Sequence, residues 1–432
     1  MSYRDFLDAK MSRVPEAGRS VQLRDVNRVL HPFQREIVQW ACHVGRAAIW
    51  ADTGLGKTFM QVEWARLMNS GVALIVAPLA VCQQTVREAA KLGIRVTYVR
   101  DGYNLDPGLY VTNYEMVEHF DPDALSAVVL DEASILKQST GATRTKLIEW
   151  AANIPYRLSC TATPAPNDPE ELTSQAEFLG HMRRTHMLAA YFVHDDQGWR
   201  LKGHARQPMY QWMSTWALAI RKPSDMGHED DGYDLPGLRI IPEMVHVPMD
   251  AGDQLFATDL GGVGGRAKVR RETLDARVAR AVEIVDTEPD EPWLIWCGLN
   301  DEADALARAL PDATNVHGSM SPEAKADALL GFADGQIPIL ITKPGIASQG
   351  LNYQHCARMI FVGLSDSYEQ YYQSIRRCYR YGQRRIVHAH IVLSELENQI
   401  AANIARKERE ASTITAGLVA EMRRVRSQET AA

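Results

Sequence analysis

Two groups of residues in this chain could handle a polyphosphate. The first is Ala51-Asp52-Thr53-Gly54-Leu55-Gly56-Lys57-Thr58, which follows an apolar run at 47–50 and opens a helix-like run at 59–68. Glycines let backbone N–H groups turn inward around phosphate oxygens, and a helix N-terminus adds a favourable dipole. In such a loop Lys57 reaches the outer phosphates, the Thr58 hydroxyl ligates Mg2+, and Thr53, Gly54 and Gly56 line the cradle. Ala51 stands where such loops usually have their first glycine. The second group is Val128-Val129-Leu130-Asp131-Glu132-Ala133-Ser134, two carboxylates at the end of an apolar strand. Metal-assisted cleavage of a phosphoanhydride needs one carboxylate to hold the metal and another to orient the attacking water. Asp131 suits the first task, sharing the metal with Thr58, and Glu132 suits the second.

Elements that could position these groups alternate along the chain. Apolar runs at 72–77, 95–99, 109–112, 127–130 and 157–160 read as buried strands, and 83–92 and 143–152 as helices. Such alternation implies a parallel sheet covered on both faces. A second series begins near Arg277, with strands expected at 293–296, 312–316, 338–341 and 358–362 and helices at 301–310 and 324–332. The stretch 172–222 is helical in tone, and the spacing of Trp212 and Trp216 predicts one buried helix face. Pro223, Pro236, Gly237 and the acidic run Glu229-Asp230-Asp231 suggest a linker, and Gly261 to Arg271 a basic loop. The tail over 398–428 reads as helical, packing on the first half or following a polymer.

Bulk properties narrow the class. At 432 residues the chain is too long for one ordinary core, so two domains are expected. With 46% apolar and 23% charged residues it is globular and not disordered. No run approaches the ~20 apolar residues of a membrane span, and the N-terminus lacks a signal-peptide pattern. The six cysteines are scattered without a CxxC pair, which argues for free thiols in a reducing cytosol and against a zinc site. A net charge of −7 does not announce a nucleic-acid partner, although a local basic track could suffice.

The pair ADTGLGKT and LDEAS resembles motifs I and II of superfamily-two helicases and translocases. Leu158-Ser159-Cys160-Thr161-Ala162-Thr163-Pro164 resembles motif III, which couples hydrolysis to lobe movement. Upstream, His31-Pro32-Phe33-Gln34 resembles the adenine-reading segment, with Gln34 on the base edge. Val76-Ala77-Pro78 and Thr112-Asn113-Tyr114 resemble segments that touch a nucleic-acid backbone. In the second half, 294–297 resembles motif IV, 342–352 motif V, and 372–383 motif VI. The spacing Gln373…Arg377-x-x-Arg380-x-Gly382-Gln383 resembles the Swi/Snf-like branch. Departures are Ser134 where His or Gln is common, Gln138 where Asn is usual, and Pro344 inside motif V. The middle segment resembles compact phage-encoded members.

The resemblance implies an α/β fold of two RecA-like parallel-sheet lobes in tandem, with a helical insertion and linker between them. The expected boundaries are 1–170 and 241–396 for the lobes, 171–240 for the insertion, and 397–432 for a helical tail. It implies an ATP hydrolase using ATP and Mg2+, with Arg377 and Arg380 as arginine fingers and Gly350 and Asn352 also near the nucleotide. The implied partner is nucleic acid, double-stranded DNA by the Swi/Snf likeness, contacted by Thr112, Asn113, Lys343 and Gln349. A strand-separating DNA helicase, an RNA-dependent ATPase and a slow ATP-gated clamp are the alternatives. The implied location is the cytosol of a bacterium or a phage-infected host, without a membrane.

Overall fold

The computed structural model describes residues 17–137, 141–165, 168–195, 198–246, 272–347, 351–365, 367–394 and 398–431. The chain divides into two compact units. One holds the residues up to Asp231 together with those from Arg409 onward, and the other holds Gly232–Glu408.

The first unit is built on strands β1 (Arg46–Ala51), β2 (Val72–Ala77), β3 (Val96–Tyr98), β4 (Gly108–Asn113), β5 (Leu125–Asp131) and β6 (Tyr156–Cys160), a small hairpin of β7 (Phe192–Asp195) and β8 (Gly198–Leu201), and β9 (Ala217–Ile220). All but the hairpin form one parallel sheet in the order β3-β4-β2-β5-β6-β1-β9. Its central strands are continuous apolar runs because helices cover both faces: residues 47–51 and 73–77 are all buried. The helices Lys57–Met68 and Leu79–Lys91 overlap the runs expected at 59–68 and 83–92, 142–150 opens the helix expected at 143–152, and Pro32–Val44 is a further helix.

The middle segment differs from its expected helical character. It contributes three short helices, the β7–β8 hairpin and β9, the outer strand beside β1. Trp212 and Trp216 do not share a helix face, because the helix Arg206–Met213 ends between them. Both are buried all the same, with rings crossed edge-on at 5.3 Å. A four-residue apolar run such as Ala217–Ile220 cannot be told from buried helix by periodicity.

The second unit carries β10 (Leu238–Val245), β11 (Trp293–Cys297), β12 (Ala313–Asn315), β13 (Ile339–Thr342), β14 (Arg358–Val362) and β15 (Val387–Ser394) in the parallel order β10-β15-β14-β11-β13-β12. The two parallel sheets have the architecture of tandem RecA-like lobes. Beneath the second sheet, Arg277 and Glu302 form a salt bridge at 2.7 Å with both side chains fully buried. Glu302 also accepts the backbone N–H groups of Gly298 and Leu299, and Arg277 donates to the Val362 carbonyl. The tail forms one helix, Asn398–Ala431. Its later part packs on the first unit, where Arg423 donates to the buried Asp225 carboxylate at 2.9 Å. Gly417 lies against Tyr210 so closely that a Cβ there would sit 2.4 Å from the ring.

Candidate functional site

Register alone brings the first two motifs together. In the first sheet Ile49, Cys160 and Asp131 stand level on β1, β6 and β5, so the phosphate-type loop and both carboxylates emerge from neighbouring C-terminal strand ends. Open parallel sheets bind ligands outside that edge. Gly54 and Gly56 both have left-handed backbone, φ 89° and 76°, and the helix begins at Lys57. The Lys57 Nζ donates to the Ala51 carbonyl at 2.8 Å, which folds the amine back over its own loop.

Carboxamides hold this site in place. Gln34 is 2% exposed. Its Nε2 donates to the Leu55 carbonyl at 2.9 Å, while its Oε1 accepts the His31 N–H at 2.9 Å. Residue 56 has a left-handed φ of 76°, and a Cβ there would fall 2.3 Å from that Nε2, so any other side chain would be strained and would displace the Gln34 amide. On the loop's helix, fully buried Gln61 donates to the Asp131 carboxylate at 2.7 Å. That carboxylate also accepts the Glu132 N–H at 3.0 Å. Glu132 itself has φ 52°. A non-glycine residue in this region costs about 1–2 kcal/mol, the kind of strain that collects at functional sites. The Tyr114 hydroxyl donates to the Asp131 carbonyl at 2.5 Å. Burial first, then the charges of Asp131 and Glu132, raise its pKa well above the usual tyrosine value.

Several expected residues lie elsewhere. Thr112 is fully buried on β4 and Asn113 is 4% exposed. Asn113 donates to Glu115 at 2.5 Å and accepts from Tyr98, so neither side chain offers a surface to a phosphate backbone. Gln349, Gly350, Gln138 and the basic loop 261–271 fall outside the described residues. Arg377, Arg380, Asn352 and Lys343 belong to the second unit. There Arg377 donates to the Leu351 carbonyl at 3.1 Å, and Arg380 donates to the Asn352 side chain. Gln383 staples this turn, donating to the Cys356 and Cys378 carbonyls at 3.0 and 3.2 Å and accepting the N–H groups of Arg384 and Arg385.

Lys343 follows β13 and donates to the Asn300 side chain. Pro344 opens the short helix Pro344–Ala347, a position where a missing N–H costs nothing. Chain connections leave β11 and β14 in opposite directions, so a crevice opens at their C-terminal ends. A cavity of about 250 Å3 occupies it, lined by Lys343, Gly298, Gly363, Trp296 and Gln370 among others.

Residues 276–382 match the family model of the helicase conserved C-terminal domain. The second unit thus carries a helicase conserved C-terminal domain. Among similar proteins, the putative protein p41 of Acyrthosiphon pisum secondary endosymbiont phage 1 is 22% identical over 413 residues, 80% of this chain and 87% of that one. A chromodomain-helicase-DNA-binding protein 3 homolog of Caenorhabditis elegans is 29% identical over 197 residues, 35% of this chain and 11% of its own length. This chain thus spans about a tenth of that larger relative. In fold it is similar to Saccharomyces cerevisiae Dbp5 bound to RNA and ADP BeF3, with a TM-score of 0.57, 12% identity, and coverage of 95% of this chain and 99% of that one.

Among the described residues no group of three or more His, Cys, Asp or Glu could hold a metal ion, and no helix is long and apolar enough to cross a membrane. One carboxylate and one hydroxyl still suit Mg2+, which keeps several waters and takes its remaining ligands from phosphates. Asp131 at the strand end beside the Lys57–Met68 helix fits that demand. All six cysteines are free and buried. Burial and the nearby Asp131 charge push the Cys160 thiol up, which keeps it protonated beside the site. Sequence reasoning overlooked Gln61, although its place four residues after Lys57, one helical turn on, was a usable signal.

Proposed function

We propose that this chain is a superfamily-two, Swi/Snf-like helicase that works as a double-stranded DNA translocase driven by ATP hydrolysis at the loop 51–58. The observation that carries the nucleotide site is the Gln61 bond, which ties the loop's own helix to the Asp131 carboxylate at 2.7 Å. In this scheme the loop N–H groups and Lys57 bind the phosphates, and Thr58 and Asp131 hold Mg2+, which supplies Lewis-acid charge neutralisation when bound. Glu132 orients and accepts a proton from the attacking water. Gln34 keeps the loop seated and reads the adenine edge. Arg377 and Arg380 supply always-charged guanidinium groups to the γ-phosphate, with Asn352 holding Arg380 until it is needed.

Duplex DNA is favoured by the Gln373-to-Gln383 motif spacing and by the chromodomain-helicase relative, whose name describes a DNA-binding protein. Lys343, at the mouth of a crevice in the second unit, is the strongest backbone contact among the candidates. Thr112 and Asn113 act, on this scheme, by shaping the β4 end from inside. Phosphate contacts make binding salt-dependent and largely sequence-blind.

The test is the steady-state ATPase rate without nucleic acid and with single-stranded DNA, duplex DNA or RNA at fixed low salt, followed by triplex displacement. Duplex stimulation with triplex displacement and no strand separation supports a translocase. Stimulation by single strands or RNA alone overturns the duplex assignment while leaving the ATPase in place.

A further inference from the structure

Gln175 lies in the helix Leu172–Leu179, is 1% exposed, and belongs to no motif of the family pattern. Its carboxamide joins three separate segments. The Oε1 accepts the Trp50 indole N–H at 2.8 Å and the Ser159 hydroxyl at 2.8 Å, and the Nε2 donates to the Pro164 carbonyl at 2.9 Å. Trp50 is the strand residue next to Ala51, whose carbonyl holds Lys57. Ser159 opens the Ser-Cys-Thr-Ala-Thr-Pro stretch and Pro164 closes it. Strand alternation places Trp50 and Ser159 on the sheet face opposite Asp131 and Cys160, so Gln175 works from behind the carboxylates and touches none of them.

We infer that Gln175 is a positioning residue for hydrolysis, fixing the exit of motif III to the strand that delivers Lys57. The inference rests on the nucleotide-site assignment proposed above. Only a carboxamide or a protonated carboxyl can accept twice and donate once in this space. Removing it leaves an indole N–H, a hydroxyl and a carbonyl buried without this partner. Misplacing a reacting group by a fraction of an ångström is enough to slow turnover with little effect on ligand binding.

Gln175→Glu is the decisive variant. Its three partners carry no charge, and burial raises a carboxyl pKa. The protonated acid reproduces the three-bond pattern, whereas the carboxylate sets an oxygen against the Pro164 carbonyl. Relative to the parent, kcat of Gln175→Glu should therefore fall about tenfold or more as pH rises through the carboxyl's pKa. Gln175→Met, which makes none of the bonds, should be slow by a similar factor at every pH. Both should bind a fluorescent ATP analogue within about threefold of the parent, a split that separates positioning from binding. A Gln175→Glu enzyme equal to the parent at all pH values overturns the inference, as does loss of analogue binding together with turnover in folded protein. Should Gln175→Met not fold, Gln175→Glu and the pair Trp50→Phe with Ser159→Ala decide the matter. Lys57→Ala is the control: normal turnover by that variant overturns the nucleotide-site assignment itself, whatever Gln175 does.

Discussion

The two units hold their functional side chains by different means. In the first, neutral amides do the holding: Gln34 secures the loop, Gln61 the Asp131 carboxylate, and Gln175 the strand behind them. In the second, the loops at the sheet edge are fixed by a fully buried ion pair, Arg277 with Glu302, whose carboxylate caps Gly298 and Leu299. Carboxamides fix geometry without adding charge, so Lys57, Asp131 and Glu132 retain theirs for a nucleotide and its metal. Arg277 and Glu302 sit behind the strand ends and cancel one another, leaving Lys343 as a cation at the rim. Charge is spent where a ligand meets it and neutralised where it serves structure.

That contrast breaks most sharply at the charged groups themselves. Arg380→Ala, the finger proposed above, should cut ATP turnover by about a thousandfold in steady-state assays, and Lys57→Ala by about a hundredfold or more. Glu132→Gln should bind ATP and fail to hydrolyse it; loss of binding in a titration would make Glu132 structural. Next comes the ion pair. Glu302→Ala strands a buried guanidinium and should lower unfolding free energy by about 3–5 kcal/mol in denaturant melts. A loss below about 1 kcal/mol would show that water reaches Arg277.

The first unit should be acid-sensitive. His181 donates from Nε2 to the Arg46 carbonyl at 2.7 Å, and burial lowers its pKa from 6.5 to about 4. A histidine kept neutral in the fold contributes stability that is complete above pH 6.5 and lost as pH falls towards 4, about 3 kcal/mol in all. His181→Gln should flatten the thermal midpoint between pH 7 and pH 4.5 relative to the parent; an unchanged slope would assign the acid sensitivity elsewhere. The smallest effect is expected at Arg423→Ala. Arg423 is half-exposed, so its bond to Asp225 should contribute under about 1 kcal/mol.

Long periodic elements and charged motifs were legible in the sequence because each carries its own local signal. The strands from Val72–Ala77 to Arg358–Val362 are apolar runs bounded by polar residues, and Lys57, Asp131 and Glu132 follow strands by the expected spacing. What was not legible depends on tertiary placement. The Ala217–Ile220 strand is too short to declare itself, and β10 pairs along its whole length with β15, a partner some 150 residues away whose His388 and His390 disguise it as polar. Gln34 was readable as a family residue, but its hydrogen bond to the Leu55 carbonyl of the loop was not. Gln61 and Gln175 lie in helices that look like ordinary core, and only the fold shows their amides meeting Asp131, Trp50 and Ser159.

The closeness of Gly417 to Tyr210 sets a practical boundary for anyone trimming this protein. A chain stopped before that glycine would strip the cover from Tyr210, which is now 6% exposed, and release the Asp225 turn that continues directly from β9. That turn leads to Ile220, whose carbonyl accepts the Asp52 N–H at 2.9 Å. Shortened versions made for crystallisation or labelling should therefore keep the chain through at least Arg424.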